Sequence, residues 1–295
     1  MSSGITSPEV SSPVVSPIRR SHSRLFLSWN AFFAILRRDI HVTMREFVQF
    51  LLQALMQPFF FLFIFGKVLP GIGLAAGNFA ALMLPGIVAL TGMIAAMQGV
   101  TLPLVLDLGY AREIDDRLLS PLPVWWVALE KAIFGAMRGV IASSVIFPLG
   151  WLILGSGFAV RGDRIPALIG MVLLTGCVGS TIGLLMGTVI KPDQISFMFT
   201  LIFTPLLFTG CTYYPWGSLG SIKWFQILTL FNPLTYGSEG LRYAMTPPQH
   251  VTAYGHTVTF TISTLAMQWV YLGLGGTVVA FFILGVWLFS RRVVS

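Results

Sequence analysis

Residues 79–106 read FAALMLPGIVALTGMIAAMQGVTLPLVL, a run that contains no Asp, Glu, Lys or Arg. A helix that crosses the hydrocarbon core of a bilayer needs about 20 apolar residues, so this run is long enough to span a membrane. Five other stretches have the same character: residues 47–65, 133–154, 165–190, 195–214 and 265–289. Only residues 133–154 contain a charge, Arg138. The pattern predicts an all-α polytopic membrane protein with six transmembrane helices.

The composition agrees with that class. Of the 295 residues, 55% are hydrophobic and 10% are charged, against about 25% charged in soluble domains. The length accommodates one membrane domain, residues 25–295, behind a Ser- and Pro-rich tail, residues 1–24, that we expect to be disordered and cytoplasmic. Two cysteines, Cys177 and Cys211, imply no disulfide framework.

The basic residues are distributed unevenly between the predicted loops. Most Lys and Arg precede the first span, lie between spans two and three or follow the last span, and we expect Lys131 and Arg138 to reach the same side by snorkelling. Because positive charge stays with the cytoplasm, both termini are expected inside the cell. The net charge of +7 therefore reflects membrane orientation, and no nucleic-acid partner is expected.

Ionisable side chains are scarce within the predicted spans. A carrier that couples to protons or ions usually needs carboxylates or His inside the membrane, and none of the six stretches has one. A secondary transporter or channel without ATP coupling is therefore disfavoured, and it is the alternative to an ATP-driven transporter. A membrane-embedded enzyme is less favoured still, since Ser180 and Ser196 have no His or Asp companion within the spans. No metal site is expected.

Residues 26–45 carry Trp and Phe at helical spacing, followed by a cluster of Arg. This pattern is typical of a helix that lies in the membrane interface before the first span. The alternative is a frayed beginning of span one.

Two stripes repeat every four residues. Gln49, Gln53 and Gln57 share one face of span one, and because amides are costly in lipid this face must meet protein or water. It either forms hydrogen bonds between helices or lines a substrate path. Glycines at 179, 183 and 187 let another helix approach span four closely.

The densest charge lies between spans two and three, where residues 107–132 read DLGYAREIDDRLLSPLPVWWVALEKA. Charged residues precede a short amphipathic stretch, which Pro121 and Pro123 end. Such a helix on the cytoplasmic face is suited to docking into the groove of a partner. The alternative is a solvated loop that reverses the chain.

Residues 208–245 read FTGCTYYPWGSLGSIKWFQILTLFNPLTYGSEGLRYAM. Two apolar pieces, residues 222–231 and 234–245, are too short to cross a bilayer and are separated by Asn232-Pro233. This arrangement predicts a re-entrant or interfacial hairpin before the last span. Glu239 and Arg242 are three residues apart and can pair. His250 and His256, further on, are expected at the surface.

These segments resemble the ABC-2-type permeases, the membrane subunits of ABC exporters. The inner loop has the family's charged cluster, double Leu and Pro in Glu113, Arg117, Leu118, Leu119 and Pro121. The outer segment has the family's pattern in Gly210, Tyr214, Pro215, Asn232, Pro233, Leu234, Thr235, Tyr236 and Arg242. The chain departs from the family at Asp115-Asp116, where a Gly-Thr is usual.

The resemblance implies a membrane subunit of an ATP-driven exporter of the bacterial plasma (inner) membrane. Two such subunits, two copies of this chain or this chain with a paralogous permease, would bind two nucleotide-binding ATPase subunits. The coupling residues would be Arg112, Glu113, Asp115, Asp116, Arg117, Leu118, Leu119 and Pro121. The chain has no G-x-x-x-x-G-K-[ST] motif, so we expect ATP and Mg²⁺ on the partner and no enzymatic activity here.

The family architecture places the substrate path between the two permeases, along spans two and five. Aromatic, Met and hydroxyl groups suit an amphiphilic passenger such as a drug, lipid or glycan-lipid. Candidate path residues are Met97, Gln98, Phe199, Thr200 and Phe203. The outer hairpin is expected to close the exit through Tyr214, Pro215, Asn232, Pro233, Tyr236 and Arg242.

Charge reversal in the inner loop tests the coupling role. We expect the double variant Glu113→Lys/Arg117→Glu to insert into the membrane but to lose substrate-dependent ATP hydrolysis by the complex. Loss of one partner of a buried interfacial charge pair costs about 2–5 kcal/mol, enough to uncouple a transient contact. Normal stimulation of the ATPase by the variant would remove the loop from the coupling pathway.

Overall fold

The computed structural model describes residues 24–74, 79–111, 124–155, 158, 160–247, 249–253, 256–260 and 265–294. Its longer helices are α1 (Arg24–Arg45), α2 (Phe47–Phe63), α3 (Phe79–Leu106), α4 (Val124–Leu154), α5 (Ile165–Val189), α6 (Ile195–Thr209), α7 (Lys223–Leu230), α8 (Pro233–Met245) and α9 (Met267–Val294). π-Helical turns extend α2 over Ile64–Val68, before a last α-turn at Leu69–Gly71, and extend α3 over Asp107–Ala111. Short 3₁₀ helices are Gly162–Arg164, Pro192–Gln194 and Trp216–Ser221.

Within the described residues, five helices are long and apolar enough to cross a membrane: Phe47–Gly71, Phe79–Gly109, Trp125–Leu154, Gly162–Val189 and Met267–Arg292. They correspond to five of the six predicted spans. The remaining stretch, predicted over residues 195–214, forms the 15-residue helix α6. At 1.5 Å per residue α6 is about 22 Å long, shorter than a hydrocarbon core of about 30 Å.

Helix α3 lies at the centre of the bundle and packs against α4, α5 and α8. It is apolar on every side, as expected for a helix surrounded by protein. Its interior side chains include Met83, Leu84, Met93, Met97 and Leu104. By contrast, α2 and α6 bury few residues in the single chain.

The predicted glycine stripe brings α5 against α3. A Cβ added at Gly179 would lie 2.4 Å from the carbonyl oxygen of Met93, and one at Gly183 would lie 2.6 Å from that of Met97. Gly187 similarly contacts the side chain of Leu104. The prediction of close helix packing at this stripe is confirmed.

Helix α1 is attached to the beginning of α4. Trp126 makes edge contacts with Trp29 and Phe32, with ring centroids 5.8 and 5.4 Å apart. Further along α1, Asp39 accepts a hydrogen bond from the buried ammonium of Lys131. The prediction that Lys131 snorkels to water is therefore wrong, because this carboxylate satisfies the charge inside the protein.

The helix α4 begins nine residues before the predicted span, which started at residue 133. It therefore includes Glu130, whose side chain is buried. The expectation that the spans lack carboxylates thus holds for the hydrophobic stretches and not for this longer helix. The apolar pattern of a sequence locates only the apolar part of a spanning helix. The helix itself continues beyond that part where its polar side chains find partners in the protein.

A two-stranded antiparallel hairpin follows α8, with β1 (Gln249–Ala253) and β2 (His256–Phe260). Its register pairs His250 with Thr259 and Ala253 with His256. The all-α prediction holds for the helical bundle, and this short hairpin is an addition that the sequence patterns did not predict. The Val and Thr residues of the two strands, Val251, Thr252, Thr257, Val258 and Thr259, favour an extended backbone.

Substitution of one stripe glycine tests the α3–α5 contact. Gly183→Ala should lower the free energy of unfolding by about 1–3 kcal/mol, because its methyl group would meet the backbone of Met97. Gly170→Ala in the same helix is the matched control, since no atom lies within 4 Å of its added Cβ. Thermal unfolding in detergent should separate the two variants; equal midpoints would contradict close packing at Gly183.

Candidate functional site

A cavity of about 250 Å³ lies between α2, α3 and α6. We call it the amide cavity because Gln53, Gln57 and Gln98 line it. Its other walls are aromatic, aliphatic or hydroxyl-bearing: Phe50, Ala54, Pro58, Phe61, Ile87, Leu90, Thr91, Ile94, Ala95, Phe203, Thr204, Leu207 and Tyr213. Neutral hydrogen-bonding groups beside aromatic rings can hold an amphiphilic molecule without fixing a charge.

A second cavity, of about 270 Å³, lies between α1, α2, α3 and α4. We call it the charged cavity. Its lining residues are Arg38, Asp39, Val42, Thr43, Glu46, Gln49, Phe50, Gln53, Pro103, Asp107, Lys131, Phe134 and Arg138. Phe50 and Gln53 belong to both cavities, so the two adjoin along α2.

The three glutamines of α2 therefore face cavities. Gln49 lies on the charged cavity, Gln57 on the amide cavity and Gln53 on both. Their position is consistent with the wall of a substrate path. Hydrogen bonds across a dimer interface would involve a second subunit, which a single chain does not include. Both readings of this stripe remain open.

The backbone where α6 ends is held by side chains of the segment that follows. Asn232 donates to the carbonyl of Leu206 at 3.0 Å and to the hydroxyl of Thr209 at 2.8 Å. Thr235 donates to the carbonyl of Thr209 at 3.1 Å, and Ser238 to that of Gly210 at 2.9 Å. We call this arrangement the α6 clamp. It fixes the end of α6 against α8.

Arg242 completes the α6 clamp. Its Nη2 donates to the carbonyls of Cys211 and Thr212, and its Nη1 donates to Glu239 Oε1 at 2.8 Å. Both charged side chains are completely buried, so the predicted Glu239–Arg242 pair forms inside the protein and not at a lipid surface.

The same segment carries further hydrogen bonds. Asn232 caps α8 by accepting from the backbone N–H of Leu234 at 2.9 Å, and Pro233 occupies the first turn. Tyr236 donates to the carbonyl of Leu230 at 2.9 Å, and Tyr214 donates to that of Phe208. The backbone N–H of Trp216, which follows Pro215, donates to Glu239 at 2.9 Å.

The pattern that defines the ABC-2 type transporter family matches residues 30–246, from within α1 to the end of α8. The chain belongs to the ABC-2 type transporter family. The inner membrane transport permease YadH of Escherichia coli (strain K12) is 26% identical over 251 residues, covering 83% of this chain and 95% of YadH. YadH of Shigella flexneri gives the same figures.

Family membership supports a multi-pass inner-membrane permease that is the membrane subunit of an ABC transporter, and implies an ATPase partner. The predicted coupling residues between 112 and 121 lie outside the described residues. The predicted tail also lies outside them, except Arg24, which begins α1. Both assignments stay predictions.

The predicted path residues lie in different environments within this permease. Gln98 and Phe203 line the amide cavity. Phe199 packs against Phe203, with ring centroids 4.9 Å apart, while Thr200 donates to the carbonyl of Ser196 at 3.1 Å. Met97 is fully buried, and its backbone contacts Gly183 of α5.

The sequence analysis named no tyrosine for the path, and it left undecided which side chains of α2 meet water. Tyr213 lines the amide cavity and stacks on Phe61 at 5.0 Å. It stands one residue before the Tyr-Pro pair that we assigned to the outer hairpin. The aromatic cluster at the end of α6 was the available signal for it.

Replacement of Arg242, the cation of the α6 clamp, tests how much the clamp contributes to the stability of the protein. Arg242→Gln should destabilise the protein by about 3–5 kcal/mol, since Glu239 would remain buried without its partner. The double variant Glu239→Gln/Arg242→Gln should recover part of this loss.

Arg161→Gln is the control for the loss of an arginine, because Arg161 pairs with the exposed Asp163. Its unfolding midpoint in detergent should stay close to that of the wild type. If Arg242→Gln unfolds at the same temperature as this control, the clamp does not hold the end of α6.

Proposed function

We propose that this chain is the membrane subunit of an ATP-driven exporter, and that it forms the path of an amphiphilic substrate such as a drug, lipid or glycan-lipid. The observation that carries the proposal is the amide cavity, together with family membership. In lipid, exposed amides are costly. A water-accessible space gives Gln53, Gln57 and Gln98 a reason to lie among apolar helices.

We further propose that residues 195–214, of which α6 is the helical part, form the fifth of six spans and that residues 215–245 form a re-entrant outer hairpin. Helices α7 and α8 have eight and 13 residues, so each is too short to cross. Helix α8 nevertheless packs between α3, α5 and α9, which supports an entry into the bundle. The hairpin would close the exit of the path.

A pair of permeases, two copies of this chain or one copy with a paralogue, would complete the path. Helix α6 supports this arrangement because it buries only Leu206 and exposes Phe197, Leu201 and Phe208 in the single chain. Without a second subunit, the wall that α6 gives to the amide cavity is covered only by lipid.

ATP hydrolysis would take place on a separate nucleotide-binding subunit that holds ATP and Mg²⁺. The inner loop, residues 112–123, joins α3 to α4, and α4 is joined to α1 by the Asp39–Lys131 ion pair. A movement of the loop would thus reach the helices around the charged cavity. Both termini would be cytoplasmic, on the side where Arg291 and Arg292 end α9.

A secondary transporter is the second candidate, and the buried carboxylate of Glu130 in α4 is the observation that favours it. Glu130 lies 3.8 Å from the ammonium of Lys131, so a structural ion pair explains its burial equally well. The two functions differ in their energy source: an ABC transporter uses ATP and a secondary transporter uses an ion gradient. The experiment therefore compares the effects of ATP and of an imposed gradient.

Cysteine labelling in proteoliposomes tests the proposal without a known substrate. In a background with Cys177→Ser and Cys211→Ser, Gln98→Cys should react with a membrane-impermeant maleimide, because position 98 lines the amide cavity. Addition of the ATPase subunit with ATP and vanadate should change this rate several-fold. Leu284→Cys, 42% exposed on α9 and outside both cavities, is the lipid-facing control.

A rate that responds to an imposed proton or sodium gradient, and not to ATP and vanadate, would favour the secondary transporter. Equal protection of both positions would show that the amide cavity is closed to water. Either result would contradict the proposed function.

A further inference from the structure

Arg138 is the charged residue of α4 that no carboxylate balances at close range. Among the described residues, no carboxylate oxygen lies within the ion-pair limit of 4.0 Å of its guanidinium, and its buried Nε has no hydrogen-bond partner. Its guanidinium lies 4.5 Å from the ring centroid of Phe50. A cation at membrane depth is costly and therefore points to a function.

The fold makes room for this cation. Gly99 of α3 lies beside the Arg138 stem, and an added Cβ there would come within 2.9 Å of Arg138 Cδ. The guanidinium is thereby placed at the wall of the charged cavity. The Arg138 stem is held between α3 and α2, and the snorkelling of Arg138 to the cytoplasmic side stays a prediction.

Other charged side chains also line the charged cavity. Asp39 pairs with Lys131 and lies 3.5 Å from Arg38. Glu46, exposed at the junction of α1 and α2, acts electrostatically on Arg138 from beyond ion-pair distance. Of the three cations in the described lining, Arg138 is therefore the one without a carboxylate within 4.0 Å.

The two cavities form a continuous lining along α2. From Phe50, shared by both, to Phe61, in the amide cavity, is eleven residues or about 16 Å. At the far end, Tyr213 lines the amide cavity, and its buried hydroxyl has no hydrogen-bond partner among the described residues. An elongated molecule with one charged end fits this arrangement, in which a charged cavity continues into an uncharged one.

We propose that the charged cavity is the headgroup site for a phosphate-bearing amphiphile, whose phosphate pairs with Arg138 and whose chain extends along α2 into the amide cavity. A guanidinium binds phosphate through two parallel hydrogen bonds. The inference rests on the proposed function in that it takes the amide cavity to be the passenger path. It adds the chemical class of the passenger.

Binding of two probes to the full chain in dodecyl maltoside tests the headgroup site. Oleoyl lysophosphatidic acid carries a phosphate, and monooleoylglycerol has the same chain without one. The wild type should bind the first at least about tenfold more tightly, the scale of one charge-assisted contact. Arg138→Gln should abolish this preference, and Arg138→Lys should keep part of it.

Arg291→Gln is the matched control, because Arg291 also lies over an aromatic ring, 3.8 Å from the centroid of Trp287, and lines neither cavity. It should keep the wild-type preference. A preference that survives Arg138→Gln, or that is lost equally in Arg291→Gln, would overturn the proposal. Inorganic phosphate should not displace the lipid probe at equal concentration; if it does, the cavity binds a free anion and not an amphiphile.

A second measurement leaves Arg138 intact in case its replacement prevents folding. Gln53→Cys, in the background without Cys177 and Cys211, lies on both cavities. Lysophosphatidic acid should slow its modification by a maleimide at least about tenfold more than monooleoylglycerol does. Equal protection by the two probes, or none, would overturn the headgroup site.

Neither binding measurement needs an ATPase, so the two proposals can fail separately. Lipid binding that depends on Arg138, without any response of Gln98→Cys to ATP and vanadate, would refute ATP coupling and support the headgroup site. An ATP response with no preference for the phosphate probe would refute the headgroup site alone.

Discussion

The backbone carbonyls at the end of α6 must find hydrogen-bond donors, and the part of the structure around α8 is built around this requirement. Gly210, Cys211 and Thr212 are buried within the protein, and a buried carbonyl left unpaired would cost about 1–3 kcal/mol. Helix α6 ends at Thr209, and the next residues are irregular up to the 3₁₀ helix at Trp216. Side chains of Asn232, Thr235 and Arg242 supply the donors.

The α6 clamp also explains why small residues stand where α3 and α8 meet the turn after α6. A Cβ at Gly86 would lie 2.0 Å from the carbonyl oxygen of Thr212, so α3 passes directly beneath this turn. Gly237 faces Thr175 of α5, and Gly240 faces Met171. Helix α8 can thus be enclosed by apolar helices for two reasons. Its charged residues Glu239 and Arg242 pair with each other, and its glycines let its backbone approach α5 closely.

The bundle has a rigid part and a loosely packed part. Helices α3, α5 and α8 contact one another through glycines and share a single core. Helices α2 and α6 surround the amide cavity and bury few side chains. Elements with few buried contacts open at a lower free-energy cost than a core, so the walls of the cavity are the parts suited to move during a transport cycle.

The sequence by itself determined the class and the positions of the long helices, since runs without charge are favourable only in lipid or in a core. It also determined the α3–α5 contact, because glycines four residues apart lie on one helix face whatever surrounds them. The break at Asn232-Pro233 followed from local chemistry as well: proline cannot continue the preceding hydrogen-bond pattern, and asparagine caps the next helix.

Only the tertiary structure decided where the polar groups of different helices meet. Lys131 and Asp39 are 92 residues apart, and Arg242 reaches carbonyls 30 residues earlier. Helical periodicity reports which residues share a face and not which face a neighbour covers. It therefore gave no indication that Gln98 and Phe203 border one cavity while Met97 lies in the core, or that Arg138 lies at the wall of a charged cavity. Those outcomes depend on how the long helices pack around each other, since a side chain's surroundings come from its neighbours in space.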